Sequence, residues 1–135
     1  MQQPYNLVDR GYEGELRDVV AAEGLSSTPY FGLARGFLTG KYAPGVTIDS
    51  PRAGKAAEYL ETEHGPRTLA ALAKVAADRE VAPAAVALAW VAAQPTITAP
   101  ISSARSVEQL QPLMAAAALT LNTDELALLD EASRH

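Results

Sequence analysis

The sequence predicts an α/β protein built from parallel strand–helix–strand units. Segments rich in β-branched and aromatic residues, Leu25 to Phe31 and Thr96 to Ile101, alternate with longer segments of helical periodicity. Alanine supplies 27 of the 135 residues. It is the best helix former but buries little area, so much closely packed helix is expected. The length suits one domain, 1–135, and excludes a complete (β/α)8 barrel, which needs roughly 200 residues or more.

The elements follow in chain order. Gln2 to Val8 is short and mixed, a strand or a loop. Glu13 to Glu23 reads as a helix, because Leu16, Val19 and Val20 fall at i, i+3, i+4, and Gly24 stands where a C′ glycine would end it. Leu25 to Phe31 reads as a strand, and strand–helix–strand order implies a parallel crossover. Gly32 to Gly54 holds five glycines and two prolines and reads as a long loop. Ala53 to Glu63 is a short helix expected to close at Gly65-Pro66. Pro66 to Asp78 is a clearer helix carrying Leu69, Leu72, Val75 and Ala76.

Pro83 to Gln94 is a helix with proline at its first position. Val86, Ala89, Trp90 and Ala93 form one apolar stripe and Leu88 and Val91 a second, so it is expected to be buried on two sides. Thr96 to Ile101 is a further strand. Ser106 and Gln109 form a capping-box pattern before a helix through Leu110, Leu113 and Met114 to Ala118. Asn122 caps the last helix with Glu125 at N3, and Leu126 and Leu129 give its apolar face.

A net charge of −5 argues against nucleic acid and anionic membrane surfaces as partners. With no cysteine, disulfides, thiolate catalysis and Cys-based zinc sites are excluded. The longest apolar stretch, Ala82 to Ala93, is too short to span a bilayer. The segment Met1 to Asn6 has neither a basic nor an apolar leader region, so a cytoplasmic protein is expected. His64 and His135 are far apart in sequence and read as solvated surface groups, and no metal site is argued. Gly36-Phe37-Leu38-Thr39-Gly40-Lys41-Tyr42 is not a P-loop. It has three residues between its glycines rather than four, and Tyr42 where Ser or Thr must hold magnesium.

Two loops can carry chemistry. Tyr30 to Tyr42 leaves the second strand with glycines that let backbone approach a ligand, and with Arg35 and Lys41 as cationic donors. The plainer reading is a surface loop with solvated charges. Ile101 to Gln109 joins a strand to a helix N-terminus, where free N–H groups favour anions and Arg105 adds donors. The plainer reading there is an ordinary capped loop.

These loops, together with Gln2-Gln3-Pro4-Tyr5-Asn6-Leu7-Val8-Asp9-Arg10 and the closing Asn122 to Asp130 helix, resemble the aldo-keto reductases over essentially the whole chain. The resemblance implies a partial (β/α)8 barrel, the last three βα units plus a C-terminal helix, from an enzyme that reduces aldehydes and ketones with NADPH. It implies that Gln2 meets the nicotinamide carboxamide and that Tyr30 stacks on the nicotinamide ring. Gly32, Leu33, Arg35, Gly36 and Lys41 would face the pyrophosphate. Ser103, Ala104, Arg105, Glu108 and Gln109 would hold the adenosine end, with Arg105 at the 2′-phosphate. Phe31 and Gly32 depart from a common Ser or Asn followed by Pro, and Pro112 and Leu113 from an acidic residue and Asn near the adenine.

The family's catalytic Asp, Tyr, Lys and His have no matching stretch in this sequence. Asp49 and Tyr59 lack those surroundings, so no catalytic residue is assigned. The expectation is a fragment of an oxidoreductase that carries cofactor loops without the tetrad. The alternative is a non-catalytic nucleotide-binding or interaction protein derived from that fold. Three parallel strands cannot close and leave unpaired edges. A homodimer, or the missing N-terminal half of the barrel, is therefore the expected partner.

Overall fold

The order of elements follows from where helical periodicity stops and proline begins. The computed structural model describes residues 1–41 and 53–135. Its α-helices are α1 (Glu15–Ala22), α2 (Ala53–Ala57), α3 (His64–Arg79), α4 (Pro83–Ala92), α5 (Val107–Ala118) and α6 (Thr123–Ala132), with 3-10 helices at Ala34–Thr39 and Glu58–Glu61. Tyr42, Asp49 and the central part of the expected Gly32 to Gly54 loop lie outside the described residues.

Among the described residues no continuous strand forms, which corrects the expected strands. The three segments nonetheless run parallel through the isolated bridges Pro4 to Tyr30 and Ser27 to Ile97. Thr28 and Tyr30 donate N–H bonds to Met1 and Gln3 carbonyls, at 2.9 and 3.0 Å, and Tyr5 donates back to Tyr30 at 3.2 Å. On the other side Ser27 donates to Thr96 and Thr98 to Ser27, both at 2.8 Å, and Ile101 donates to Pro29 at 2.8 Å. Pro4, Pro29, Pro95 and Pro100 remove donors from these ladders, and Thr96 takes a left-handed φ of 70°. Bridges rather than strands are the result.

Successive side chains alternate between the two faces of this array. Gln3, Tyr5, Ser27 and Pro29 are buried, whereas Gln2, Ser26 and Tyr30 are exposed. The buried face meets α4, where Tyr5 packs 5.5 Å from the Trp90 ring. No described element covers the opposite face.

Helix α4 is the centre of the core. Every residue from Ala84 to Val91 is buried, as two apolar stripes require; Ala93, at the C-cap, is exposed. Its alanines let neighbouring helices approach, and α4 packs against α3, α5 and the 3-10 turn at Ala34–Thr39. Helix α1 ends one residue before its predicted limit and closes in a Schellman turn. Gly24, at φ 65°, donates to Ala21 and Leu25 donates to Val20. Its expected stripe is buried only at Val20, since Leu16 and Val19 remain 38% and 57% exposed. No described element covers that side. Helix α5 has no buried residue at all, and Val107, Leu110 and Met114 are exposed along it.

Helix α3 starts two residues earlier than predicted and takes Gly65 and Pro66 into its first turn. They do not close the preceding helix. A Cβ at Gly65 would overlap the Tyr59 carbonyl, so only glycine fits this approach. The Asn122–Glu125 capping box forms in both directions, at 2.8 and 2.9 Å. Ser106 accepts from Gln109 N–H at 3.2 Å, but the Gln109 side chain reaches back to Arg105 N–H instead of Ser106, so the box is not reciprocal.

A polar cluster ties the first segment to α4 and α6. Arg10 forks onto both Glu13 oxygens at 2.8 and 3.0 Å, and also donates to the Asp130 carbonyl and the Ser133 hydroxyl. Its guanidinium lies 5.2 Å from the centre of the Trp90 ring, and Trp90 Nε1 donates to Asp130 Oδ1 at 3.2 Å. Tyr5 donates to Glu13 Oε1 at 2.6 Å. Burial, then this bond, raises the Tyr5 pKa. Burial works to raise Glu13, but the bonds from Arg10 and Tyr5 outweigh it and hold the carboxyl below its usual range.

The two histidines are not separate surface groups. Their rings stack at 3.9 Å between centroids. Burial, then His135, lowers the His64 pKa.

Candidate functional site

The parallel array brings the ends of its segments to one edge. There Asn6 organises the turn that follows the first segment. Its side-chain oxygen accepts from Val8 and Asp9 N–H, both at 2.9 Å, and its amide donates to the Phe31 carbonyl at 2.8 Å. One buried side chain therefore fixes both the turn and the start of the glycine-rich loop.

That loop is held in unusual backbone. Phe31, Ala34 and Arg35 have φ of 58°, 50° and 59°, in the left-handed region that non-glycine residues enter at a cost. Phe37 and Leu38, fully buried, anchor its far end. Leu33 accepts N–H bonds from Gly36 and Leu38 at 3.0 and 3.1 Å. Gly32 is buried, and a Cβ there would stand 2.7 Å from Leu88 of α4, so the loop sits directly on the central helix.

Between turn and loop lies a cleft of about 260 Å³, lined by Pro4, Asn6, Asp9, Tyr30, Phe31, Ala34, Arg35 and Tyr59. Tyr30 and Phe31 meet edge to face at 4.8 Å, and the Arg35 guanidinium lies 4.6 Å from the centre of the Phe31 ring. Tyr59 packs on Phe37 at 5.3 Å. Burial, then the Asp9 charge, raises its hydroxyl pKa, which keeps it protonated.

Of the residues singled out in the sequence, Tyr30 and Arg35 line the cleft. Gly32, Leu33 and Gly36 form the loop behind it, and Lys41 is exposed beyond the 3-10 turn. Gln2 is exposed on the open face, two residues before Pro4. Ser103, Arg105, Glu108 and Gln109 are exposed and Ala104 is half-buried; none of these five lines the cleft. The Ile101–Pro29 bond sets the start of their loop beside Tyr30. Sequence reasoning missed Pro4, Asn6, Asp9, Phe31, Ala34 and Tyr59 as lining residues. Asn-x-x-Asp is an Asx-turn signal that could have found Asn6 and Asp9. Tyr59 arrives through tertiary packing and has no local signal.

Short parallel segments with helices packed on one face, and a cleft at their ends, define an α/β layout. The aldo/keto reductase family model matches residues 1–134, so the chain belongs to that family. It is 33% identical over 138 residues to the L-glyceraldehyde 3-phosphate reductase of Escherichia coli (strain K12), covering 96% of this chain and 40% of that protein. It is 30% identical over 132 residues to the Protein tas of the same organism, covering 96% of the chain and 38% of the relative. A solved glycerol dehydrogenase from Gluconobacter oxydans superposes with a TM-score of 0.82 at 24% identity, over 97% of this chain and 41% of that one. The chain thus carries part of an aldo-keto reductase fold and spans about two-fifths of the length of these relatives. Among the described residues no helix is long and apolar enough to cross a membrane.

Proposed function

We propose that this chain is the cofactor-binding C-terminal portion of an aldo-keto reductase barrel, its last three βα units and closing helix, serving NADPH-dependent carbonyl reduction. One observation carries the reading. Two parallel segments end at a cleft that contains both an exposed aromatic ring, Tyr30, and a cation, Arg35, and the third is bonded beside them through Ile101 and Pro29. These groups fit the cofactor: a flat surface for a nicotinamide ring and a guanidinium for phosphoryl oxygens. The cleft is smaller than pockets that enclose a whole ligand of this size, about 300–1,000 Å³. The adenosine end therefore runs out toward the exposed loop of Ser103 to Gln109.

When bound, NADPH would supply the hydride that reduces a carbonyl carbon. In this reading Tyr30 orients the nicotinamide and Gln2 meets its carboxamide. Arg35, Lys41 and the backbone at Gly32, Leu33 and Gly36 bind the pyrophosphate. Arg105 binds the 2′-phosphate, and Ser103, Ala104, Glu108 and Gln109 border the adenosine. Among the described residues the cleft lining includes two tyrosines, Tyr30 and Tyr59, but neither lysine nor histidine. That favours a second reading for the chain by itself: it binds nucleotide without chemistry, and the catalytic tetrad belongs to polypeptide outside these residues.

The exposed apolar positions on α1 and α5, and the uncovered face of the array, support a partner that completes the barrel or a second copy of this chain. The reading places the protein in the cytoplasm. NADPH titration followed by nicotinamide emission tests the cofactor site, with saturable enhancement or quenching expected. No saturable signal at millimolar NADPH refutes it. Light scattering at micromolar concentration tests assembly, and a clean monomer refutes self-association. Carbonyl reduction by the pure chain would overturn the placing of the tetrad elsewhere.

A further inference from the structure

Phe31 poses a physical question. It is a bulky residue in left-handed backbone, φ 58°, yet its side chain is 39% exposed. The conformation costs about 1–2 kcal/mol, and core burial offers little return at that exposure. The backbone is nevertheless pinned. The Phe31 carbonyl accepts from Asn6 Nδ2 and from Ala34 N–H, both at 2.8 Å. The ring meets Tyr30 edge to face at 4.8 Å, and the Arg35 guanidinium lies over it, 4.6 Å from its centre. Arg35 is itself left-handed, φ 59°, and makes no hydrogen bond or ion pair with another described residue. The aromatic face is the contact that orients it. A guanidinium held over a ring face keeps N–H groups available for phosphoryl oxygens.

We propose that Phe31 is the positioning residue of this cleft: its ring is a shelf that holds the Arg35 guanidinium ready for a phosphoryl ligand. The proposal rests on the cofactor reading above and adds a specific device to it. Phe31 touches no reacting atom; it acts through Arg35. Asp9, an acid in the same cleft, makes such a device useful, because a free guanidinium could instead turn to the carboxylate.

A double-mutant cycle tests this, with NADPH and inorganic pyrophosphate as separate probes on the full chain. Arg35→Met is expected to weaken both by roughly tenfold. Phe31→Leu is expected to weaken both by about 2- to 5-fold, while Phe31→Tyr, which keeps the ring, binds as the wild type. The double variant Phe31→Leu/Arg35→Met binds no more weakly than Arg35→Met alone. A second readout needs no ligand: phenylglyoxal modifies Arg35 faster in Phe31→Leu than in the wild type or Phe31→Tyr, followed by peptide mass. Melting curves identify any variant that fails to fold, and Phe31→Tyr then carries the comparison. Additive losses in the cycle, or Arg35 reactivity unchanged in Phe31→Leu, overturn the shelf and leave the cofactor reading standing. Failure of the wild-type chain to bind either probe overturns the cofactor reading itself.

Discussion

Replacing Asn6 with alanine is the sharpest test of how the cleft is built. Asn6 is 1% exposed and makes three side-chain hydrogen bonds: from Val8 N–H, from Asp9 N–H, and to the Phe31 carbonyl. Each bond contributes about 0.5–1.5 kcal/mol net, and a buried donor left unpaired costs about 1–3 kcal/mol. Val8 is 3% exposed, and its N–H loses this acceptor. Asn6→Ala is therefore expected to destabilise the chain by about 3–4 kcal/mol. Urea unfolding at fixed protein concentration measures this, with the midpoint falling and the slope unchanged. Asn6→Asp separates the contributions. It keeps the acceptor for Val8 and Asp9 but loses the donor to Phe31, so it should sit between alanine and wild type. A loss below about 1 kcal/mol in Asn6→Ala would refute the argument that this side chain holds turn and loop together.

Three further outcomes are expected. Trp90→Ala removes a fully buried ring that also donates to Asp130, and should cost about 3–5 kcal/mol in the same assay. Gly24→Ala meets open space but left-handed backbone, φ 65°, so it should cost about 1–2 kcal/mol from strain alone, seen as a lower melting temperature. His64 titrates below its ordinary value, so the folded state binds fewer protons there than the unfolded state. Its contribution is complete above about pH 6.5 and is lost as pH falls toward the lowered folded value. Melting curves from pH 7.5 to pH 5 should fall less steeply in His64→Gln.

What the sequence made legible is local. Gly24 and the Asn122–Glu125 pair announce helix ends because capping is decided within a few residues. The double apolar stripe of α4 announces burial for the same reason. The strands were only half legible: β-branched residues marked the segments, but prolines at 4, 29, 95 and 100 reduce their pairing to bridges. In the cleft, Tyr30 and Arg35 were legible through family pattern, whereas Tyr59 reaches it by packing on Phe37. The His64–His135 stack could not be read from spacing, because α6 folding back on α3 creates it.

The Arg10 cluster has a consequence for the order of folding. Arg10 donates to the Asp130 carbonyl across 120 residues of chain. During synthesis Tyr5, Arg10 and Glu13 emerge before α6, so Arg10 and Glu13 can pair before the rest of the cluster exists. The Asp130 and Ser133 contacts must wait until α6 has left the ribosome. Closing so long a loop is entropically slow, and its reward comes only at the end. The central Trp90 is thus sealed last, by a latch whose two halves lie 120 residues apart in the sequence.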